Sequence, residues 1–245
     1  MVWKILLCIL FGYAVGNINP AYIIGRIRGI DVRRHGSGNA GASNALILMG
    51  KLVGISSAIF DILKAAGVMW LAPVIFGDLP CAAEIAGVAC TIGHIYPVVM
   101  KFKGGKGLAC IGGILLALDW RLLVILLAIE IVIVLLVNYI CIVPITACIA
   151  LPILYRVFGA DGLDWLLRAE GGWPAVAILS VVTVVVLFKH VQNIYRIATH
   201  TEMHFSFLWS KDKEGEKARI EENRRKLAER KQAKKEQALR NKEVT

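Results

Sequence analysis

Three runs in this chain are too long and too apolar for the surface of a water-soluble protein. They are "SSAIFDILKAAGVMWLAPVIF" at 56–76, "LLVILLAIEIVIVLLV" at 122–137 and "AVAILSVVTVVVLFK" at 175–189. None holds more than two charged residues, and with their flanks each approaches the roughly 20 apolar residues that a membrane crossing needs. The whole chain is 57% hydrophobic, against about 45–50% for a soluble domain. These runs specify an all-α protein, a polytopic bundle of membrane helices.

Hydropathy places about seven spans, near 5–27, 52–76, 82–100, 108–118, 122–137, 140–158 and 175–195. The fourth, "LACIGGILLAL", is short for a full crossing. Lys and Arg in short loops mark the cytoplasmic side. Arg26, Arg28, Arg33, Arg34, Lys51, Lys101, Lys103, Lys106 and Arg196 collect on one side with the C-terminal tail. The opposite loops, "GDLP", "DWR" and "GADGLDWLLRAEGG", are neutral to acidic, so the N-terminus is expected outside. The opening "MVWKILLCILFGYAVGNINPAYIIGR" has no small-x-small cleavage site and is expected to stay as the first span rather than leave as a signal peptide.

Residues 1–205 therefore form the membrane domain, and 206–245 a charged tail. From Ser210 onward the tail carries 13 Lys and Arg against 8 Asp and Glu, with few apolar residues. It is expected as a solvated, partly formed helix, with weak attraction to anionic headgroups as the sharper alternative. No aromatic interleaving supports nucleic-acid binding. The six cysteines, Cys8, Cys81, Cys90, Cys110, Cys141 and Cys148, lie scattered among apolar residues without a CxxC pair, and are expected as small buried hydrophobes. The five histidines show no HExxH spacing, so no metal site is expected.

Three polar islands interrupt the apolar runs, all on the expected cytoplasmic side: "GNINPAYIIG" with "RRHGSGNAGASN", then "GHIYPVVMKFKGGKGLA" at 93–109, then "KHVQNIYRIATHTE" at 189–202. Glycines at this density let backbone N–H groups turn towards a common point and cradle an anion. Ser37, Asn39, Ser43 and Asn44 add neutral donors, and Arg33, Arg34, Lys103 and Lys106 add charge. Helix packing and turns also use glycine in membranes. That explanation serves an isolated pair poorly extended to Gly36, Gly38, Gly41, Gly104, Gly105 and Gly107. Two phosphate sites are the expectation, one at Ser37, Asn39, Ser43 and Asn44, the other at Lys103, Gly104, Gly105 and Lys106. "GGKG" is no Walker A loop, because Met100 stands where its first glycine belongs and Gly107 follows Lys106. Asp61 and Lys64, three apart, share a helix face and can pair or meet substrate, while Glu130 should face the bundle interior.

The islands resemble the three cytoplasmic motifs of the bacterial acyl-phosphate:glycerol-3-phosphate acyltransferases, the PlsY family. The matching stretches are "GNINPAYIIGRIRGIDVRRHGSGNAGASN", "FDILKA", "GHIYPVVMKFKGGKGLA" and "HVQNIYR…TE", in the same order. The resemblance implies a multi-pass enzyme of the bacterial inner or plasma membrane with its site and C-terminus cytoplasmic. It implies transfer of a fatty acyl group from acyl-phosphate to the 1-hydroxyl of glycerol 3-phosphate, giving lysophosphatidic acid and phosphate. No cofactor is implied, and a monomer is expected. His94, His190 and Asn193 become candidate catalytic residues; Ser37, Gly38, Asn39, Gly41, Ser43, Asn44, Lys64, Lys103, Gly104, Gly105 and Lys106 become candidate substrate ligands. The general base is either a histidine or a phosphate oxygen of the substrates.

The chain departs from the family pattern in places. The family's first motif runs on as "GATNVLR", and its arginine is Ile47 here. Cys141 and Pro144 stand for two serines, Val191 for the arginine of "HRxN", and His200 for the glycine of "GTE". A divergent paralogue with another acceptor, or without activity, is the nearest alternative. A small anion transporter is the other, though no internal repeat of the kind transporters favour is visible.

Overall fold

The computed structural model describes residues 1–159, 172–202, 204, 206 and 212–243. Ten α-helices account for most of them: α1 (Val2–Gly16), α2 (Pro20–Ile27), α3 (Ala42–Met49), α4 (Lys51–Phe76), α5 (Ala82–Ile95), α6 (Leu108–Leu118), α7 (Trp120–Val137), α8 (Val143–Gly159), α9 (Trp173–Ala198) and α10 (Lys213–Glu243). Short 3-10 turns occupy Val98–Met100 and Ile140–Ile142. The described residues fall into two compact units, Met1–Ile131 with Val143–Lys189, and Val132–Ile142 with His190–Thr245.

In the first unit α1 packs on α5, α4 lies against α5 and α6, α3 folds onto α4, and α6 meets α8. Small residues let α1 and α5 touch backbone to backbone: a Cβ at Gly12 or Gly16 would collide with the Ala86 or Cys90 carbonyl. The main core gathers Met69, Val88, Ile111, Ile114, Leu115, Leu122, Leu126, Leu151, Leu179, Val182 and Val186. Five of the six cysteines are buried, as small hydrophobes would be. The outward faces are apolar too: Leu52, Val74, Leu136 and Phe188 are among the most exposed residues. A helix apolar on both faces belongs in lipid.

Among the described residues, four segments are long and apolar enough to cross a membrane: α4, Ala82–Met100, α7 and α9; α1 with α2 makes a fifth if the bent pair counts as one span. α6 and α8 are shorter apolar helices. The sequence count of seven is thus reached only by including these two and the bent pair.

The first span is not one helix. It breaks at Asn17–Asn19 with a 42° bend. Asn19 caps α2, its Oδ1 accepting the Tyr22 N–H at 2.8 Å, and Pro20 follows at the first helical position, where its missing N–H costs nothing. The stretch 28–51, left between the first two expected spans, is also not all loop. Ala42–Met49 forms α3, and Gly50, at φ +90°, allows it to abut α4. Glu130 is buried as expected, with the Thr146 hydroxyl 2.7 Å from its carboxylate oxygens. Most of the expected outer loop "GADGLDWLLRAEGG" lies outside the described residues.

In the second unit Asn138 and Ser206 exchange two hydrogen bonds, and His204 Nε2 lies 3.0 Å from the Tyr139 hydroxyl. The tail helix α10 carries few apolar residues, of which Ile220 is buried; Asn223 Nδ2 donates to the His200 carbonyl at 2.9 Å.

Candidate active site

The first glycine-rich loop, 28–41, is organised by side chains. Asn44, in the first turn of α3, accepts the Ser37 N–H at 2.9 Å and donates to the Val32 and His35 carbonyls at 2.8 and 3.0 Å. Asn19 reaches the same loop from the break in the first span, donating to the Ala40 carbonyl at 2.8 Å. Asp31 receives Arg33 through Nε at 2.9 Å and Nη2 at 2.8 Å, and accepts the Arg33 backbone N–H as well. This fork of charge-assisted bonds holds the Asp31 carboxyl well below the usual carboxylate range.

The second loop, 96–107, is held by its backbone. The Gly104 N–H donates to the Ile95 carbonyl at 3.2 Å, and the Gly105 N–H to the His94 carbonyl at 3.1 Å. These bonds close the C-terminal end of α5, whose last carbonyls lack helical partners. Gly105 lies flat against the His94 imidazole, where any Cβ would strike Nε2. Tyr96 opens the loop; its carbonyl accepts the Tyr13 hydroxyl at 2.8 Å, and Lys189 lies 4.7 Å from its ring centroid.

Arg33 joins the two loops. Its Nη1 donates to the Met100 carbonyl at 2.9 Å, and its guanidinium stacks over Tyr22 at 4.9 Å. Met100, fully buried, packs with Val32 and Ala40 of the first loop. The loops are thereby fixed side by side at one end of the unit.

Beneath them lies a buried trio of charged and polar groups. Lys64 Nζ is 2.6 Å from Asp61 Oδ1 and 3.2 Å from His94 Nδ1, and it donates to the Gly16 and Ile18 carbonyls at 3.2 and 2.7 Å. His94 Nδ1 is also 3.3 Å from Asp61 Oδ1.

The structure therefore brings the first two islands together but gives their residues different duties. Ser37, Gly38 and Ser43 are exposed, Asn39 and Gly41 half-buried, Lys103 exposed and Lys106 half-buried. Asn44 and Lys64 are buried and engaged inside the protein, as are the N–H groups of Gly104 and Gly105. The third island, from His190 onward, sits in the second unit. His190 and Asn193 are both buried on α9. Asn193 Nδ2 donates to Glu202 Oε1 at 3.2 Å, and Arg196 Nε to Glu202 Oε2 at 2.6 Å.

Several contributors escaped the sequence reading: Asn19 as a loop anchor, Asp31, the Arg33–Met100 link, the Asp61–His94 contact and Glu202 as the acceptor for Asn193. Asn19-Pro20 is a readable cap signal. A contact between residues 67 apart, such as Arg33 with Met100, leaves no local trace.

Comparison with known proteins agrees with this arrangement. The family model described as glycerol-3-phosphate acyltransferase matches residues 6–200. The glycerol-3-phosphate acyltransferase of Brucella anthropi is 39% identical over 197 residues, covering 79% of this chain and 90% of that protein. Two crystal structures of PlsY (YgiH), an integral membrane glycerol 3-phosphate acyltransferase, superpose with TM-scores of 0.71 and 0.70 at 29% and 28% identity. One is the glycerol 3-phosphate form and the other the lysophosphatidic acid form, and each alignment covers 83% of this chain and 96% of that one. The family match runs from within α1 to the end of α9 and takes in the first two islands and most of the third, and the chain belongs to the glycerol-3-phosphate acyltransferase (PlsY) family.

Proposed function

We propose that this protein transfers a fatty acyl group from acyl-phosphate to the 1-hydroxyl of glycerol 3-phosphate, releasing lysophosphatidic acid and phosphate. The observation that carries the reading is the pairing of two glycine-rich loops, locked together by Arg33 and Met100, with Ser37, Asn39 and Ser43 on one and Lys103 and Lys106 on the other. A reaction between two phosphate-bearing molecules needs two anion cradles at fixed spacing. Membership of the family and the ligands of the PlsY crystal forms support the same substrates.

In this reading Ser37, Gly38, Asn39, Gly41 and Ser43 hold one phosphate, and Lys103 and Lys106 the other. Asn44, Gly104 and Gly105 shape the cradles. Acyl-phosphate is a mixed anhydride with a good leaving group, so proximity and charge screening supply most of the acceleration. The hydroxyl oxygen attacks the acyl carbonyl, the anhydride C–O bond breaks, and phosphate departs. His94 is enclosed by Gly105 on one edge and by Asp61 and Lys64 on the other. Its enclosure favours a phosphate oxygen as the acceptor of the hydroxyl proton. His190 and Asn193 contribute from the third island. The loops face the cytoplasm, the tail 206–245 extends on the same side, and the protein acts as a monomer without cofactor.

One observation favours an altered acceptor site. Ile47 replaces the family's arginine and is 70% exposed on α3, so no guanidinium stands there to grip a phosphate. The experiment is acyl transfer by purified protein from palmitoyl-phosphate to radiolabelled glycerol 3-phosphate, run beside an Ile47→Arg variant. Labelled lysophosphatidic acid from the wild type supports the reading. Product from the variant alone assigns the chain a different acceptor, and silence from both folded proteins removes the proposal.

A further inference from the structure

We infer that Asp61, Lys64 and His94 form a positioning bracket that sets the spacing between the two glycine-rich loops. The inference rests on the acyl-transfer reading, because it says how the two cradles of that reaction are kept in register.

Each end of the bracket ties to one loop. On one side Lys64 donates to the carbonyls of Gly16 and Ile18, on either side of Asn17 in the break of the first span. The next residue is Asn19, which caps α2 and donates to Ala40 in the first loop. On the other side His94 is the penultimate residue of α5; its carbonyl takes the Gly105 N–H and its ring edge lies against Gly105 in the second loop. Asp61 touches both partners, at 2.6 Å from Lys64 Nζ and 3.3 Å from His94 Nδ1.

The three side chains are between 2% and 3% exposed, so none offers a face to a ligand held on the loops above. They act through the loops. Stability alone does not explain them. A buried ion pair is often matched or improved upon by apolar residues of similar volume, whereas a charge at membrane depth is costly. Fixing one geometry out of several is what such a network adds. Four partners converging on one ammonium leave it a single place, and that place spaces Ala40 from Gly105.

The decisive variant is the double Asp61→Leu, Lys64→Met, which removes both charges together and leaves none stranded. It is compared with the wild type by detergent thermal stability, by steady-state kinetics against both substrates, and by amide hydrogen exchange of peptides covering 28–41 and 96–107. The bracket predicts a protein that folds, with exchange raised in both loop peptides and unchanged in α6. It predicts kcat/KM lower by about a hundred-fold for both substrates, as misplacement of reacting groups by about an ångström costs. A KM rise confined to one substrate would make Lys64 a direct phosphate ligand and overturn the bracket. A fall in kcat with both KM values intact and exchange in both loops unchanged would place the trio in the chemistry and overturn it too. Wild-type exchange in both loops refutes it outright. If the wild type itself transfers nothing, the acyl-transfer reading fails while the exchange comparison still decides the bracket.

Discussion

The two glycine-rich loops look alike in sequence and are built on opposite principles. In the first, side chains hold the backbone: Asn44 and Asn19 from outside the loop and the Asp31–Arg33 fork within it. In the second, the backbone holds itself, with two glycine amides laid on the end of α5 and one glycine pressed against His94. Gly38 in the first loop, at φ +70° with room around it, supplies conformation; Gly105 in the second supplies absence of volume. Similar glycine content therefore conceals different sensitivities to mutation.

The largest effect separating them is expected at Asn44. Asn44→Ala removes three hydrogen bonds and strands three backbone groups, costing about 2–4 kcal/mol at roughly 1 kcal/mol per bond. Thermal unfolding in micelles should show a large downward shift, and a shift within error would mean that the first loop holds itself as the second does.

Next comes a pair of glycine substitutions. Gly105→Ala forces a Cβ into the His94 ring, an overpacking worth about 1–3 kcal/mol, and should lower both stability and transfer rate. Gly38→Ala meets nothing closer than the Arg33 carbonyl at 3.4 Å and bears only a conformational cost of about 1 kcal/mol. Equal losses in the two variants would erase the distinction between volume and conformation.

The smallest effect concerns pH. The Asp31 pKa is depressed in the folded protein relative to about 3.9 when unfolded. Its contribution to stability is therefore complete above that unfolded value and is lost as pH falls towards the folded one. The difference in unfolding midpoint between wild type and Asp31→Asn should be constant from neutral pH down to about 5, then shrink below about 4. A difference that grows with acid would show that the fork does not stabilise the ionised carboxyl.

Much of the bundle was legible because hydrophobic runs and charge interruptions are local signals. The short span 108–118 coincides with α6, and of the two roles the Asp61–Lys64 spacing left open, pairing or substrate contact, the structure contains the ion pair. α3 was hidden because "ASNALILM" is brief and bounded by Gly41 and Gly50, which read as loop. The break at Asn17–Asn19 disappeared into a window average that stayed apolar across it. Within the site, residue types were legible and duties were not. Nothing local in the sequence separates Asn39, on the loop surface, from Asn44, buried beneath it; the difference lies in the fold of α3 against the loop. The union of the loops by Arg33 and Met100 is a long-range contact and could only be seen in three dimensions.

The ammonium of Lys64 also bears on how the chain enters the bilayer. Inserted by itself, α4 would carry its cation into lipid with Asp61 as sole counterpart, and a charged residue at helix centre costs about 2.5–3.5 kcal/mol on insertion scales. The two carbonyls that complete its surroundings belong to the interruption between α1 and α2, already synthesised when α4 emerges. A kink delivered early thus serves as the receptor for a charge delivered late. The N-terminal helices are bound to gather as a group, with α4 descending into a berth that its predecessors have prepared.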